Sequence, residues 1–291
     1  MIQLRSLTLI PHSGMCNRLL AIASARRLCK QTGANCSVVW DWGEFASLFL
    51  HPPDITIVKS ASEAEKTIRH QPFHINPTRS IDVTVKSLNV YSGYIFWGNY
   101  EPAITIADVL PFIPRLNQQL QAVVNKFSST HLKNSIGFHL RRTDQSLSVK
   151  YSPDILFFQR ARKLIADGKN IFLATDNLKT ETKMKKLFGD KVITYQKRTN
   201  LERRWPRRYF DQIAAEDDLI DLFLLTKTEF VLGSYFSSYS SLAMALNDSP
   251  HCSILRIPKL SRFKTFLTLG LLYYNEYWAQ FRKRLSYTTK N

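Results

Sequence analysis

The chain has 291 residues, and its 40 lysines and arginines outnumber its 23 aspartates and glutamates by 17. A hydrophobic content of 44% excludes a disordered or fibrous protein, and the length allows for about two domains at roughly 150 residues each. The sequence also lacks the roughly 18 consecutive apolar residues of a transmembrane helix, so we predict a soluble protein whose basic surface attracts phosphate or another anion.

The N-terminal part of the chain predicts a strand, a polar loop and a helix in that order. Residues 4–10 are rich in leucine and isoleucine and predict the strand. Residues 11–17 predict the loop, and apolar side chains at helical spacing then continue to Gly33, a typical helix stop. Residues 37–40 predict a second strand, and residues 55–58 predict a third strand or a continuation of the second.

From residue 134 onward, strands and helices alternate. The apolar alternation over residues 136–140 predicts a strand, and Ser152 with Pro153 and Asp154 predicts the capped start of a helix. This α/β alternation predicts a doubly wound, mostly parallel sheet, and the similar start of the chain predicts two such domains in tandem. The remaining predicted strands cover residues 170–174, 192–195, 230–232 and 253–257, and the remaining helices cover residues 178–189, 211–227 and 242–246.

Ligands of doubly wound sheets bind outside the carboxyl ends of the strands. Four polar segments occupy such positions: residues 13–18, 139–144, 175–177 and 234–241. We therefore expect these four segments to form the functional site.

The string 139–144, HLRRTD, carries the most specific chemistry. Strand alternation places His139 and Arg141 on one face and Arg142 on the other. A guanidinium at a strand end can hold a diphosphate bidentately and stabilise its charge as it departs, whereas Arg142 is expected to pair with a carboxylate such as Asp144. The alternative is a structural arginine cluster tied to acids of the same domain.

The other three segments each leave two interpretations open. Gly14 precedes a helix whose free N–H groups can bind an anion, or it belongs to an ordinary strand–helix turn with a buried Asn17. Asp176 can accept from a nucleobase or ribose, or it can cap the next helix. The serine-rich loop 234–241 can hold a phosphate or form a common turn.

Two further groups of residues can be explained either by a structural role or by a functional one. Asp217, Asp218 and Asp221 are acidic but follow no metal-ligand spacing, so we predict that Asp218 and Asp221 are charges on the helix surface and that there is no metal site. The aromatic-rich segment 91–100 lies in a region, residues 71–102, that shows no firm period. Its rings can stack on a sugar or fill the core.

The ordered motifs resemble the fucosyltransferase superfamily, which includes α-1,6-, rhizobial nodulation, α-1,2- and protein O-fucosyltransferases. The most specific likeness is between HLRRTD and the H-x-R-R-x-D motif of that family. The other matching stretches are residues 14–19 (GMCNRL), 172–176 (FLATD), 221–225 (DLFLL) and 236–238 (FSS), in the family's order.

The resemblance implies a GT-B fold, with two Rossmann-like domains facing a cleft, and an inverting glycosyltransferase that needs no metal or other cofactor. Its donor substrate is GDP-fucose and its acceptor is a glycan hydroxyl. By this resemblance Arg141 is the catalytic residue, because it holds the β-phosphate of the departing GDP. The implied substrate-binding residues are His139 and Asp221 at the guanosine, Asp176 at the nucleoside, Ser237 or Ser238 at a phosphate, and Gly14 and Cys16 through backbone amides, together with Asn17, Arg18, Arg142 and Asp144.

We predict an acceptor-side domain at residues 1–130 and a nucleotide-sugar domain at residues 131–258. The basic and aromatic tail, residues 259–291, either packs on the first domain or lies on an anionic membrane surface. The general base is not identified by the motifs, and Asp41 and Glu44 are candidates by position only.

The cysteines and the start of the chain bear on its location. Four cysteines without a C-x-x-C pair predict reduced thiols, and the first residues lack a signal-peptide pattern. We therefore expect a cytoplasmic enzyme, either free or peripheral on the inner membrane. Two alternatives remain open, namely the same fold with another nucleotide sugar and a non-catalytic nucleotide- or RNA-binding protein. Since the chain has no groove-reading basic stripe, nucleic acid is not an expected partner.

Overall fold

A computed structural model describes residues 4–70, 80–143, 145–198 and 211–257 of the chain. Within these ranges no helix has the length and apolar character that a membrane span requires. The predicted tail, residues 259–291, and the predicted site residue Asp144 lie outside the described residues.

The first lobe is built on a five-stranded parallel sheet with the strand order β3-β2-β1-β6-β4. Its first helix, α1, ends where Gly33 takes the left-handed conformation at φ 72° that glycine adopts without steric cost. The strands of this lobe are β1 (Ser6–Pro11), β2 (Asn35–Val39), β3 (Thr56–Val58), β4 (Lys66–Arg69), β5 (Ser80–Ile81), β6 (Ser87–Ser92) and β7 (Trp97–Gly98), and its helices are α1 (Met15–Thr32), α2 (Phe45–Leu48), α3 (Ile106–Val109) and α4 (Gln118–His131).

The second lobe repeats this plan with the parallel strand order β10-β9-β8-β11-β12. Its central strand is buried at every position, as expected for a parallel strand covered by helices on both faces. The strands are β8 (Ser135–Leu140), β9 (Asn170–Thr175), β10 (Val192–Ile193), β11 (Val231–Ser234) and β12 (Ser253–Leu255), and the helices are α5 (Ser146–Tyr151), α6 (Asp154–Ala166), α7 (Leu178–Phe188), α8 (Gln212–Leu225) and α9 (Ser238–Asn247).

The two lobes pack directly on each other through their helices. Helix α1 contacts α9, and α4 contacts α8. One apolar cluster consequently runs from the first lobe, at Leu19 and Val124, into the second, at Leu222 and Leu242. The predicted domain boundaries at residues 130 and 258 stay predictions.

The predicted α/β class is confirmed, and the main differences from prediction are local. The segment 55–58 contains a separate strand, β3, and α1 begins at Met15, so the loop before it is shorter than predicted. The first helix after β8 is α5, and Pro153, not Ser152, takes the cap position of α6. The Ser152 hydroxyl instead donates to the Leu255 carbonyl at 2.5 Å. This hydrogen bond links the start of α6 to the edge strand β12.

Each sheet has one position where the chain reverses its direction of winding. In the first lobe this position lies between β1 and β6, and in the second lobe it lies between β8 and β11. The loops that leave neighbouring strands there diverge and open a crevice, which is where ligands of such sheets bind. The crevice of the first lobe is bordered by residues 12–14 and 93–94, and that of the second by residues 141–143 and 235–237.

Candidate active site

Arg141 occupies the crevice of the second lobe, directly after β8. Its backbone N–H donates to the Ser234 hydroxyl at 3.1 Å, and that hydroxyl donates to the His139 carbonyl at 3.1 Å. Ser234 thereby joins the carboxyl ends of β8 and β11. The Arg141 guanidinium lies beyond this join, with its side chain 23% exposed.

Asp176 holds this arginine in place. Its Oδ2 lies 3.2 Å from Arg141 Nη1 and accepts from the Thr143 hydroxyl at 2.7 Å, while Oδ1 accepts from the Arg142 N–H at 2.8 Å. Burial raises the pKa of Asp176, but the charge of Arg141 and these hydrogen bonds outweigh burial, and the pKa lies below its ordinary value. Asp176 is therefore an ionised anchor for residues 141–143. The helix-cap interpretation of Asp176 is wrong, because Asn177 caps α7.

Arg142 faces the other side of the strand end, as the alternation predicts. Its Nε pairs with Asp154, and its two Nη groups donate to the carbonyls of Arg141 and Ser152, both at 2.7 Å. The predicted partner Asp144 lies outside the described residues, and Asp154 is the carboxylate that the structure shows. Arg142 thus links the end of β8 to α6, and its side chain is only 7% exposed.

His139 lies beneath the site as a buried neutral imidazole. Its ring stacks on Tyr239 with centroids 4.4 Å apart, and its Nδ1 lies 2.7 Å from the Ser240 hydroxyl. Burial lowers the pKa of His139 to about 3, with Asp176 opposing and Arg141 adding to the shift. The Ser240 hydroxyl also accepts from the Ser234 N–H at 2.9 Å, so this network connects both strand ends with α9.

Asp221 is buried, which overturns the prediction that it is a surface charge. Its side chain is 4% exposed and its Oδ2 lies 2.8 Å from the ammonium of Lys197, which also donates to the Thr175 carbonyl at 2.8 Å. Asp217 is buried as well and accepts from Arg198. The acidic stretch of α8 therefore binds the chain that follows β10. Among the described residues, no group of three or more metal-ligating side chains comes together.

The serine-rich loop ends at the start of α9. Phe236 has the uncommon φ of 55° and is 49% exposed, and Ser237 caps the helix by accepting from the Ser240 N–H at 3.4 Å. The Ser237 hydroxyl is therefore used within the protein, and Ser238 begins the first turn of the helix.

The first lobe presents an equivalent loop at the start of α1. Ser13 has a φ of 69°, and Gly14 takes the cap position without a side-chain cap. Cys16, in the first turn, is buried; burial and the charge of Asp218 raise the pKa of its thiol, and the charge of Arg141 opposes them. Because Asp218 and Arg141 belong to the second lobe, the start of α1 lies near the predicted catalytic arginine of the other lobe.

The remaining predicted residues of the first lobe surround this loop. Asn17 is half-buried, whereas Arg18 is buried, donates to the Ser13 carbonyl at 3.0 Å and pairs with Asp41 at 2.5 Å. Arg18 also lies 4.4 Å from the ring centre of Trp42. Asp41 is exposed, and its loop reaches the second lobe. A Cβ on Gly43 would lie 3.2 Å from the side-chain oxygen of Gln212 on α8.

The aromatic segment has mixed surroundings. Phe96 is fully buried, Tyr100 is 55% exposed, and Tyr91 packs under the Arg69 guanidinium at 3.9 Å. The core interpretation holds for Phe96, and sugar stacking stays a prediction for the exposed ring.

Comparisons of the whole chain agree on the fold. No family model and no curated protein sequence matches the chain, but solved structures do. NodZ α-1,6-fucosyltransferase soaked with GDP-fucose has a TM-score of 0.55 at 15% identity, over 83% of this chain and 92% of that chain. A mutant of Arabidopsis thaliana FUT1 in complex with GDP also has a TM-score of 0.55, at 14% identity, over 88% of this chain and 71% of that chain. POFUT1 in complex with GDP has a TM-score of 0.50 at 12% identity, over 87% of this chain and 98% of that chain.

The chain shares the fold of these three solved fucosyltransferases. This fold is GT-B-like, so the predicted fold class is confirmed. Sequence reasoning missed Lys197, which lies in no recognisable motif, and it named the serine-rich loop 234–241 without singling out Tyr239 and Ser240. It also did not single out His12, which lies within the predicted loop 11–17.

Proposed function

We propose that the protein is an inverting glycosyltransferase that transfers fucose from GDP-fucose to a glycan hydroxyl without a metal ion. The single observation that carries this proposal is the Arg141–Asp176 pair at the crevice of the second lobe. The fold supports it, because NodZ was soaked with GDP-fucose and the two other neighbours were solved with GDP.

Arg141 supplies the charge that such a reaction needs. When the bond between fucose and the β-phosphate breaks, negative charge accumulates on the leaving GDP. A guanidinium stabilises that charge with two parallel hydrogen bonds, and Asp176 fixes its position before the reaction begins. In this proposal Arg141 replaces the divalent cation that other glycosyltransferases use.

The starts of helices α1 and α9 are the second element of the proposed site. Helix α1 is preceded by Ser13 and helix α9 by Phe236, each in a left-handed conformation, and the two helices pack on each other. The first turns of both helices carry N–H groups without intrahelical partners, which favours an anion. We assign the diphosphate to these N–H groups, with Gly14 and Cys16 on one side and Ser237 and Ser238 on the other.

The guanosine half is assigned to the floor of the second lobe. His139 remains neutral there because its pKa is about 3, and Asp221 offers a buried carboxylate beside Lys197. A carboxylate is the acceptor that suits the adjacent N–H groups of a guanine edge. The acceptor glycan then binds against the first lobe.

Replacement of Arg141 by lysine tests the proposal. Lysine keeps the charge but cannot make the bidentate contact, so kcat/KM with GDP-fucose should fall by about 100-fold or more. Arg160→Lys on the exposed face of α6 is the matched control and should retain full turnover. Wild-type turnover in Arg141→Lys would contradict the assigned role. Turnover with a UDP-sugar but not with GDP-fucose would contradict the donor.

A further inference from the structure

The crevice of the first lobe contains an imidazole in a defined tautomer. His12 follows β1, and its Nε2 lies 3.1 Å from the backbone carbonyl of His70. Because a carbonyl can only accept, Nε2 carries the hydrogen and donates it. The lone pair of the neutral ring is therefore on Nδ1, which lies 3.0 Å from the Ser13 hydroxyl and accepts from it.

The surrounding backbone is shaped around this pair. A Cβ on Gly93, directly after β6, would lie 2.8 Å from both Cε1 and Nδ1 of His12, so only glycine admits the ring at its present place. Ser13 is held at φ 69°, a conformation that costs free energy in a residue other than glycine. The His12 N–H donates to the Ser92 carbonyl at 3.1 Å. Close packing of His12 and strain at Ser13 thus occur together at the winding reversal between β1 and β6.

The pair also adjoins the proposed donor site. Ser13 adjoins Gly14, the cap of α1, and the first turn of that helix lies within the field of Arg141. Both His12 and Ser13 are partly accessible. Inversion requires the acceptor oxygen to approach the sugar from the side opposite the leaving diphosphate. His12 and Ser13 belong to the first lobe, to which the acceptor is assigned in the proposed function.

We propose, building on the function proposed above, that His12 is the general base and that the Ser13 hydroxyl relays the proton to it. As the acceptor oxygen forms its bond to the anomeric carbon of fucose, the bond from that carbon to the phosphate oxygen breaks and GDP takes the electron pair. The acceptor proton passes to Ser13 Oγ while the Ser13 proton passes to His12 Nδ1. The resulting imidazolium keeps its Nε2–H bond to the His70 carbonyl and later loses the extra proton to water.

The charges around His12 are consistent with this role. Burial lowers the pKa of His12, the hydrogen bond to the His70 carbonyl raises it, and the charge of Arg18 lowers it, with a net shift downward. His12 is therefore neutral and ready to accept a proton at neutral pH. The described groups facing it are Arg18 on α1, His70 after β4, and the hydroxyls of Ser13 and Ser92. The earlier candidate Asp41 is engaged by Arg18.

The test compares His12→Gln and Ser13→Ala with His251→Gln, which alters an exposed histidine far along the chain. kcat for fucose transfer is measured from pH 5 to 9, and GDP affinity is measured by calorimetry. His12→Gln should lower kcat by about 100-fold, leave GDP affinity unchanged and abolish the decline of kcat at acidic pH. Ser13→Ala should lower kcat but keep that decline, and added imidazole should partly restore His12→Gln.

Three results would overturn the inference. If His12→Gln keeps the wild-type kcat and the same decline of kcat at acidic pH, His12 is not the general base, while the proposed function still stands. If thermal unfolding shows that His12→Gln does not fold, Ser13→Ala becomes the test. An unchanged kcat in Ser13→Ala would then show that the Ser13 hydroxyl does not relay the proton to His12. Absence of both GDP binding and fucose transfer in the wild-type protein would overturn the proposed function and this inference with it.

Discussion

Replacement of Asp176 by asparagine should weaken both the fold and the site. Asparagine keeps one oxygen, which can still accept from the Arg142 N–H as Oδ1 does now at 2.8 Å. Its amide NH₂ then stands where Oδ2 accepts from Thr143 at 2.7 Å and pairs with Arg141 at 3.2 Å. A donor thus faces a cation, and the ion pair is lost.

The size of the effect follows from the burial of the two groups. Breaking a fully buried ion pair costs about 3–5 kcal/mol, but the Arg141 side chain is 23% exposed and water recovers part of this. We expect a loss of about 2 kcal/mol in the free energy of unfolding, which corresponds to a decrease of roughly 4–8 °C in Tm. Because Arg141 loses its anchor, GDP affinity should fall as well.

The assay is thermal unfolding at several pH values, with Asp167→Asn, on the exposed end of α6, as the matched control. The pKa of Asp176 is depressed in the folded state, so its stabilisation is complete above the ordinary pKa of 3.8 and is lost as pH falls through the folded value. The difference between wild type and Asp176→Asn should therefore be largest near neutral pH and shrink in acid. Equal Tm values for Asp176→Asn and Asp167→Asn at pH 7 would refute this reasoning.

Three more predictions concern the packing and charges beneath the site. Gly233→Ala should lower the unfolding free energy by about 1–3 kcal/mol, because its Cβ would lie 2.6 Å from the Ser240 Cβ; an unchanged urea midpoint would contradict this. Lys197→Met should cost about 3 kcal/mol by removing the cation that pairs with Asp221, and Lys197→Met combined with Asp221→Leu should regain part of the loss in the same urea titration. His139 is held neutral to about pH 3, so folding stability should decline as pH falls from 6.5 towards that value. His139→Gln should flatten this decline in acid-unfolding curves, and an identical pH dependence would contradict the assignment.

The elements that could be predicted from sequence are those with a strong local signal. Strand β8 alternates apolar residues with Gly137 and His139, β9 contains an apolar run, and α1 has helical spacing up to Gly33. Helix α4 was not predicted, although Asn117 caps it, because its polar exposed face obscures the two buried positions Leu120 and Val124. Strand β6 was hidden inside a region rich in proline, asparagine and aromatic residues.

The features of the site likewise separate into those that follow from local sequence and those that depend on distant segments. The different surroundings of Arg141 and Arg142 follow from strand alternation, which is a local property. The partner of Arg142 does not, because Asp154 reaches it only after the chain turns through α5. The burial of Asp221 depends on Lys197 arriving from another segment, and no sequence period contains that information.

Calorimetric titration with GDP, UDP, ADP and CMP, each with and without EDTA, tests the central claim most directly. Arg141 pairs with Asp176 at the carboxyl ends of β8 and β9, and the account predicts tight binding of GDP that EDTA does not change. A preference for UDP, a requirement for a metal ion, or no binding of any of the four nucleotides would contradict it.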